Sequence, residues 1–455
     1  MKKKLSFREL IAVGSMLFGL FFGAGNLIFP AAMGQLAGKN VFAAAAGLCI
    51  TGVGLPLLGV AALGISRCSG LADLSGRVGK KYSLFFTCAL YLTIGPLFAI
   101  PRCATVPFAT GISPLLKSSA SETVPLAVFS LIFFAAVLWF SLRPGNILTW
   151  VGKILNPLFL ISLALLLITA LLFPMGNIAA VSPEGAYAQK AFISGFLEGY
   201  NTMDALAGLA FGIIVVNVIR DLKITAPEAI AANTVRAGCL GCGLMGIIYL
   251  AVAVVGAQSR GIYAAAPNGG EALLTIANHY FGAFGSIILA VTVTFACLKT
   301  AVGLITSCAQ TFCQLFPRAF SYRVWAIGFC LFSFGAANLG LETIISWALP
   351  VLMFLYPLAI TLILLALTGK WFNNSRYIYR SVTVFTLIAA VLDFIHALPE
   401  TAVSFLHLNS LLITAEKYLP LFSLGLGWVF PAAVGFIIGL FLHHTRSGKN
   451  IPLKK

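Results

Sequence analysis

Phe18-Gly19-Leu20-Phe21-Phe22-Gly23-Ala24-Gly25-Asn26-Leu27-Ile28-Phe29-Pro30 carries apolar residues on both sides of Gly23-Ala24-Gly25-Asn26. It reads as one membrane-crossing helix interrupted near its middle. Lipid offers no hydrogen bonds, so unwound backbone at that depth is tolerated only where protein or a water-filled cavity satisfies it. Such an interruption points to a binding site, and the pointer strengthens when a second falls in the matching place of the other half of the chain. Gly199-Tyr200-Asn201-Thr202 is that second interruption.

The surrounding chain is 455 residues long, 60% hydrophobic and 9% charged, with a mean hydropathy of +1.00. Soluble domains lie far from these values. A crossing needs about 20 apolar residues, and twelve such segments can be placed, joined mostly by short loops. Continuous apolar runs exclude an outer-membrane barrel, whose strands alternate over about 10 residues. The expected fold is therefore an all-α polytopic membrane protein of about twelve helices, with the breaks in segments 1 and 6. Five segments per half is an odd number, so the halves run in opposite directions: an inverted repeat of about 9–173 against 191–368, followed by two peripheral helices at about 377–443.

A net charge of +16 suggests nucleic acid until the basic residues are placed. Only Lys39, Lys117, Lys190, Arg260 and Lys417 fall in the loops opposite the termini, and Arg102 and Lys299 lie within segments. The rest of the 29 Lys and Arg residues, among them Lys2, Lys3, Lys4, Arg67, Arg77, Arg220, Arg376, Lys449, Lys454 and Lys455, lie on the terminal side. That asymmetry is a topology signal, and it places both termini in the cytoplasm. No nucleic-acid partner and no obligate protein partner are expected, only the bilayer and a small solute. Cys239 and Cys242 form a Cys-x-x-Cys pair, but among glycines in an apolar segment they read as small packing residues.

The breaks also say what kind of solute. Segment 1 enters from the terminal side, so its outer half begins near Leu27 at mid-depth, with Asn26 as the expected N-cap and Pro30 early in the helix, where a missing N–H costs little. Segment 6 enters from the other side, so its inner half also begins at mid-depth. Free N–H groups at both helix N-termini favour an anion such as a carboxylate, and the carbonyls left at the ends of the preceding half-helices suit an ammonium or small cation. A zwitterionic amino acid needs both. The candidate substrate residues are Gly23, Ala24, Gly25, Asn26, Leu27, Gly199, Tyr200, Asn201 and Thr202. Lys299 lies deep in segment 8, where an ionisable group is costly and faces a cavity or a partner; an ion pair with Asp204 or Glu198 is one reading. Arg102, in the outer part of segment 3 after Gly95-Pro96 and Pro101, joins Glu198 and Asp204 as a candidate charge network.

These motifs resemble those of the bacterial branched-chain amino acid transport system II carriers: Phe-Gly-Ala-Gly-Asn-Leu-Ile-Phe-Pro at 22–30, Gly-Pro-Leu-Phe-Ala-Ile-Pro-Arg at 95–102, Gly-Tyr-Asn-Thr-Met-Asp-Ala-Leu at 199–206 and Ala-Cys-Leu-Lys-Thr-Ala-Val-Gly-Leu-Ile-Thr at 296–306. The resemblance covers nearly the whole chain. It implies cation-coupled symport of leucine, isoleucine and valine, with sodium or a proton as coupling ion, in the five-plus-five inverted-repeat fold of the amino acid-polyamine-organocation superfamily. It also implies a sodium site built from the carbonyls of Gly19 and Phe22 with Ala296 and positions 299 and 300. Here the chain departs, because Lys299 stands where a small or hydroxyl residue is usual and Thr300 is retained. An ammonium there would replace the ion by its own charge. The expectation is a carrier in the bacterial cytoplasmic (inner) membrane that is not an enzyme and has no organic cofactor. The rivals are an exchanger for another neutral amino acid, sodium-independent through Lys299, and, more remotely, a channel or an intramembrane enzyme.

Overall fold

The computed structural model describes residues 4–68, 70–113, 122–143 and 148–447. Lys2, Lys3, Lys117, Lys449, Lys454 and Lys455 lie outside the described residues.

All the described secondary structure is helical. Helices α1 (Phe7–Phe21) and α2 (Gly25–Ala37) are the halves of the first broken crossing. A π-helical turn at Ile50–Gly54 joins α3 (Val41–Cys49) to α4 (Leu55–Ile65). The short α5 (Leu71–Ser75) precedes α6 (Lys80–Leu92) and α7 (Ala99–Pro107). Next come α8 (Thr123–Ser141) and α9 (Asn156–Leu172). The second broken crossing is α10 (Tyr187–Asn201), α11 (Asp204–Ala210) and α12 (Gly212–Asp221). It leads to α13 (Pro227–Ser259), α14 (Gly269–Phe281), α15 (Ala283–Leu315), α16 (Tyr322–Ala337) and α17 (Leu341–Thr368). The chain ends in α18 (Arg376–His396), the short α19 (Glu400–Phe405) and α20 (Asn409–Tyr418), and α21 (Val429–Ser447).

Among the described residues, eight helical runs are long and apolar enough to cross a membrane. The expected twelve do not all meet that criterion, because the breaks divide 7–37 and 187–221 into short pieces and α16 and α21 are shorter apolar helices. The broken crossings sit at the centre. Every residue of α11 is buried, as are Gly25 to Ala31 at the start of α2, whereas α8 turns Leu131 and Ile132 outward. Around this centre α13 packs on α1, α2 and α4, α10 lies against α3, and α15 contacts α7 and α9. Helices α18 and α21 pair with each other, with α18 also on α17, which is the peripheral place expected for the last two segments. Small residues permit the closest approaches, as in other membrane helix interfaces: a methyl group at Gly195 would collide with the Ala44 carbonyl of α3.

Three local features shape the way the crossings meet. Segment 3 is kinked. At Thr93–Leu97 Gly95 leaves helical geometry (φ −93°, ψ −125°), and Pro96 lacks the N–H that would hold it there. Helix α13 begins at Pro227 and runs unbroken to Ser259; proline suits a first turn, where its N–H would be unpaired in any case. The segment at Gln258 to His279 is only partly loop. Asn268 caps α14 by accepting the Glu271 N–H at 3.0 Å, and α14 docks on α2 and α15.

Candidate substrate-binding site

In the first crossing the helix opens at Phe22, whose N–H still donates to the Phe18 carbonyl, and resumes at Gly25. Asn26 is not the N-cap. The cap position is Ala24, without a side-chain bond, and Asn26 is the second residue of α2. Its Oδ1 reaches back to accept the Gly23 N–H at 2.8 Å, so one side chain satisfies the unwound backbone that the lipid cannot. Its Nδ2 reaches forward, donating to Asp204 Oδ2 at 2.6 Å and to the Tyr249 hydroxyl.

The second break is a single left-handed residue, Met203 (φ +63°, ψ 11°), a costly conformation for a bulky side chain. Thr202 Oγ1 donates to the Gly199 carbonyl at 2.8 Å and accepts the Asp204 N–H at 3.4 Å. Asp204 is the first residue of α11, where the helix dipole favours negative charge. The anion predicted at this helix start is thus supplied by the protein itself. The Tyr249 hydroxyl on α13 donates to Asp204 Oδ2 at 2.5 Å, so Asn26, Asp204 and Tyr249 lock the two breaks and α13 together.

Both breaks open on one cavity, lined by Gly23, Ala24, Gly25, Asn26, Thr202, Asp204 and Thr300 together with Arg102, Phe21, Phe211 and Leu304. Its volume of about 30 Å³ holds roughly one water, so the protein is closed around it. A larger space of about 550 Å³, lined by Phe29, Thr105, Glu198, Glu271 and Glu342, opens beyond Phe29. Arg102 and Phe29 lie between the two, with the guanidinium 5.2 Å from the ring centroid. Arg102 is only 5% exposed, and its Nη1 donates to the Asn201 carbonyl at 2.9 Å.

Several expected site residues sit elsewhere. Gly199 does not line the cavity: it packs against Thr51 and Gly52, where a methyl group would collide. Tyr200 stacks on Tyr356 with ring centroids 4.0 Å apart, and of Asn201 it is the carbonyl that matters, as the partner of Arg102. Leu27 donates its N–H to the Ala24 carbonyl at 3.1 Å, so the free donors at this helix start narrow to Gly25 and Asn26. The expected charge network divides: Arg102 and Asp204 share the cavity, while Glu198 lines the outer space.

The expected cation residues gather where α1 meets α15. Thr300 Oγ1 donates to the Gly19 carbonyl at 3.4 Å. Lys299 and Ala296 are fully buried beside them. Neither Asp204 nor Glu198 is the partner of Lys299; its Nζ donates to Asn156 Oδ1 at 2.9 Å and lies 3.7 Å from the Phe159 ring centroid, 4.9 Å from Phe18 and 5.7 Å from Phe22. A buried ammonium in a neutral, aromatic box of this kind gains about 2 kcal/mol or more per desolvated cation–π contact. With Lys299 bonded to Asn156 and Thr300 to the Gly19 carbonyl, these residues occupy the place where the resemblance implies a sodium ion.

Sequence reading missed Tyr249 and Asn156. Asn156, a polar residue before Pro157 in an apolar segment, carried a weak signal; a tyrosine in a helix carries none.

The family described as Branched-chain amino acid transport protein matches residues 6–446. The branched-chain amino acid permease BrnQ of Lactobacillus delbrueckii subsp. lactis is 55% identical over 438 residues, covering 96% of this chain and 97% of the relative. BrnQ of Bacillus subtilis is 41% identical over 98% of this chain and 99% of its own length. The branched-chain amino acid transport system 2 carrier protein of Pseudomonas aeruginosa is 39% identical over 95% of each. Two solved structures share the fold: MHP1, a nucleobase-cation-symport-1 family transporter in a closed conformation, at TM-score 0.58 and 16% identity over 98% of this chain and 94% of that one, and MhsT in complex with L-phenylalanine, at TM-score 0.54 and 15% identity over 97% and 100%. The expected architecture, all-α with two broken crossings at the centre, is that of these transporters. By its near full-length match to the family and to these relatives, the chain belongs to the branched-chain amino acid transport protein family.

Proposed function

We propose that this multi-pass membrane protein carries leucine, isoleucine and valine across the bacterial cytoplasmic membrane, with both termini in the cytoplasm. The observation that carries the reading is the cavity at the two breaks, which brings together the start of α2, the Arg102 guanidinium and the Asp204 carboxylate. Those groups are complementary to a zwitterion, and the apolar Phe21, Phe211 and Leu304 complete the wall. Passage is by alternating access, the Arg102–Phe29 layer opening toward the 550 Å³ space.

Lys299 supports a sodium-independent cycle. Its ammonium, held by Asn156 and three phenylalanines, does the structural work of a bound cation between α1 and α15, leaving the proton as the coupling ion. Counterflow tests the substrate. Proteoliposomes preloaded with unlabelled leucine are expected to take up labelled leucine with saturation, and isoleucine and valine are expected to compete at similar concentrations. Saturable counterflow with another neutral amino acid and none with leucine would establish the exchanger reading instead.

A further inference from the structure

The two buried charges at the cavity point to a division of labour within the substrate site that follows if the cargo is an α-amino acid. We infer that Arg102 is the anchor for the α-carboxylate and that Asp204 faces the α-ammonium.

Arg102 reaches the cavity because of the kink at Gly95-Pro96, which starts α7 on a new course. Its Nη2 lies 2.9 Å from where a methyl group on Gly25 would stand, so the guanidinium lies directly on the backbone at the start of α2. The first-turn N–H groups of Gly25 and Asn26 and the helix dipole point into that same place. Guanidinium and helix start therefore make one positive subsite. A guanidinium has five N–H donors, and the hydrogen bond it makes here goes to a neutral carbonyl, that of Asn201. A carboxylate is a stronger, bidentate partner for the same fork.

Asp204, which lines the same cavity, is 1% exposed. The bonds from Asn26 and Tyr249 both use Oδ2, and the residue lines the cavity together with Arg102. An acid and a base lining a site this small set the orientation of a zwitterion and reject molecules that lack either charge. Loss of one partner from a buried charge pair is costly because the other charge stays desolvated.

The test compares leucine with leucine methyl ester, which keeps the ammonium and loses the anion, as competitors of labelled uptake. If counterflow identifies another amino acid as the cargo, that amino acid and its own methyl ester replace leucine. A failure of the branched-chain assignment then shows as a change of reporter and leaves this comparison intact. In the wild type the ester is expected to compete at least ~100-fold less well than the amino acid. In Arg102→Gln the KM of the amino acid is expected to rise ~100-fold, and the preference over the ester to collapse to within about threefold. Arg102→Lys keeps the charge without the fork, so a roughly tenfold rise in KM with the ester still excluded is expected. It is the readout should Arg102→Gln fail to fold. Arg102→Gln that still discriminates against the ester, or Arg102→Lys with an unchanged KM, would overturn the assignment.

Discussion

Lys299 and Asn156 stand 143 positions apart in sequence and 2.9 Å apart in space. Asn156 also donates to the Ser15 hydroxyl at 2.8 Å, so it holds α1 and α15 to α9 at once. Asn156→Leu strips a buried ammonium of its hydrogen bond, a loss of about 3 kcal/mol for a charged group. We expect a melting temperature in detergent several degrees below that of the wild type, with Asn156→Gln intermediate; equal melting curves for wild type and Asn156→Leu would show that the aromatic rings suffice. At this scale the sequence revealed which residues were out of place and not whom they met. The depth of Lys299 in an apolar segment is legible because charge in lipid is costly. Its neutral partner is not, because the contact comes from packing between distant segments, and the expected partners, Asp204 and Glu198, were the nearest acids by reasoning from charge alone. Asn26 was read as a helix cap from its residue type, and it instead bridges two breaks because Asp204 and Tyr249 come within its reach.

The breaks themselves were legible as elements. Glycine, asparagine and threonine in the middle of apolar runs are poor helix formers, and both breaks fall within a residue or two of the expected places. The kink in segment 3 was signalled by Gly95-Pro96 and Pro101, yet its consequence, Arg102 in the cavity, required the path of α7. Helix α14 was hidden by the turn-forming Pro267-Asn268-Gly269-Gly270, which starts the helix by supplying its cap and also lets it approach α2: a methyl at Gly269 would collide with the Ile28 carbonyl. Close helix approach also sets a prediction for the second broken crossing. Gly195→Ala places a methyl against the Ala44 carbonyl where α10 crosses α3, an overpacking cost of about 1–3 kcal/mol. Chromatography after a heat step is expected to show less monodisperse Gly195→Ala than wild type. The same loss is not expected of Gly328→Ala, where no neighbour lies within 4 Å.

For the whole molecule, the charge asymmetry is an argument about the side on which the termini lie, and the broken helices are a separate argument about where the solute binds. The resemblance implied a sodium site beside the first break. At that place Thr300 is bonded to the Gly19 carbonyl and Lys299 is enclosed by Asn156, Phe18, Phe22 and Phe159, and our proposal is that the lysine stands in for the ion. The central claim is thus a branched-chain amino acid carrier that needs no sodium because a lysine holds the position. The direct measurement is uptake of labelled leucine into proteoliposomes of the wild type and of Lys299→Thr, with proton and sodium gradients imposed in turn. The account predicts accumulation by the wild type under a proton gradient in sodium-free buffer, no stimulation by sodium, and loss of that accumulation in Lys299→Thr. Accumulation that requires sodium in the wild type and is unchanged in Lys299→Thr would contradict it.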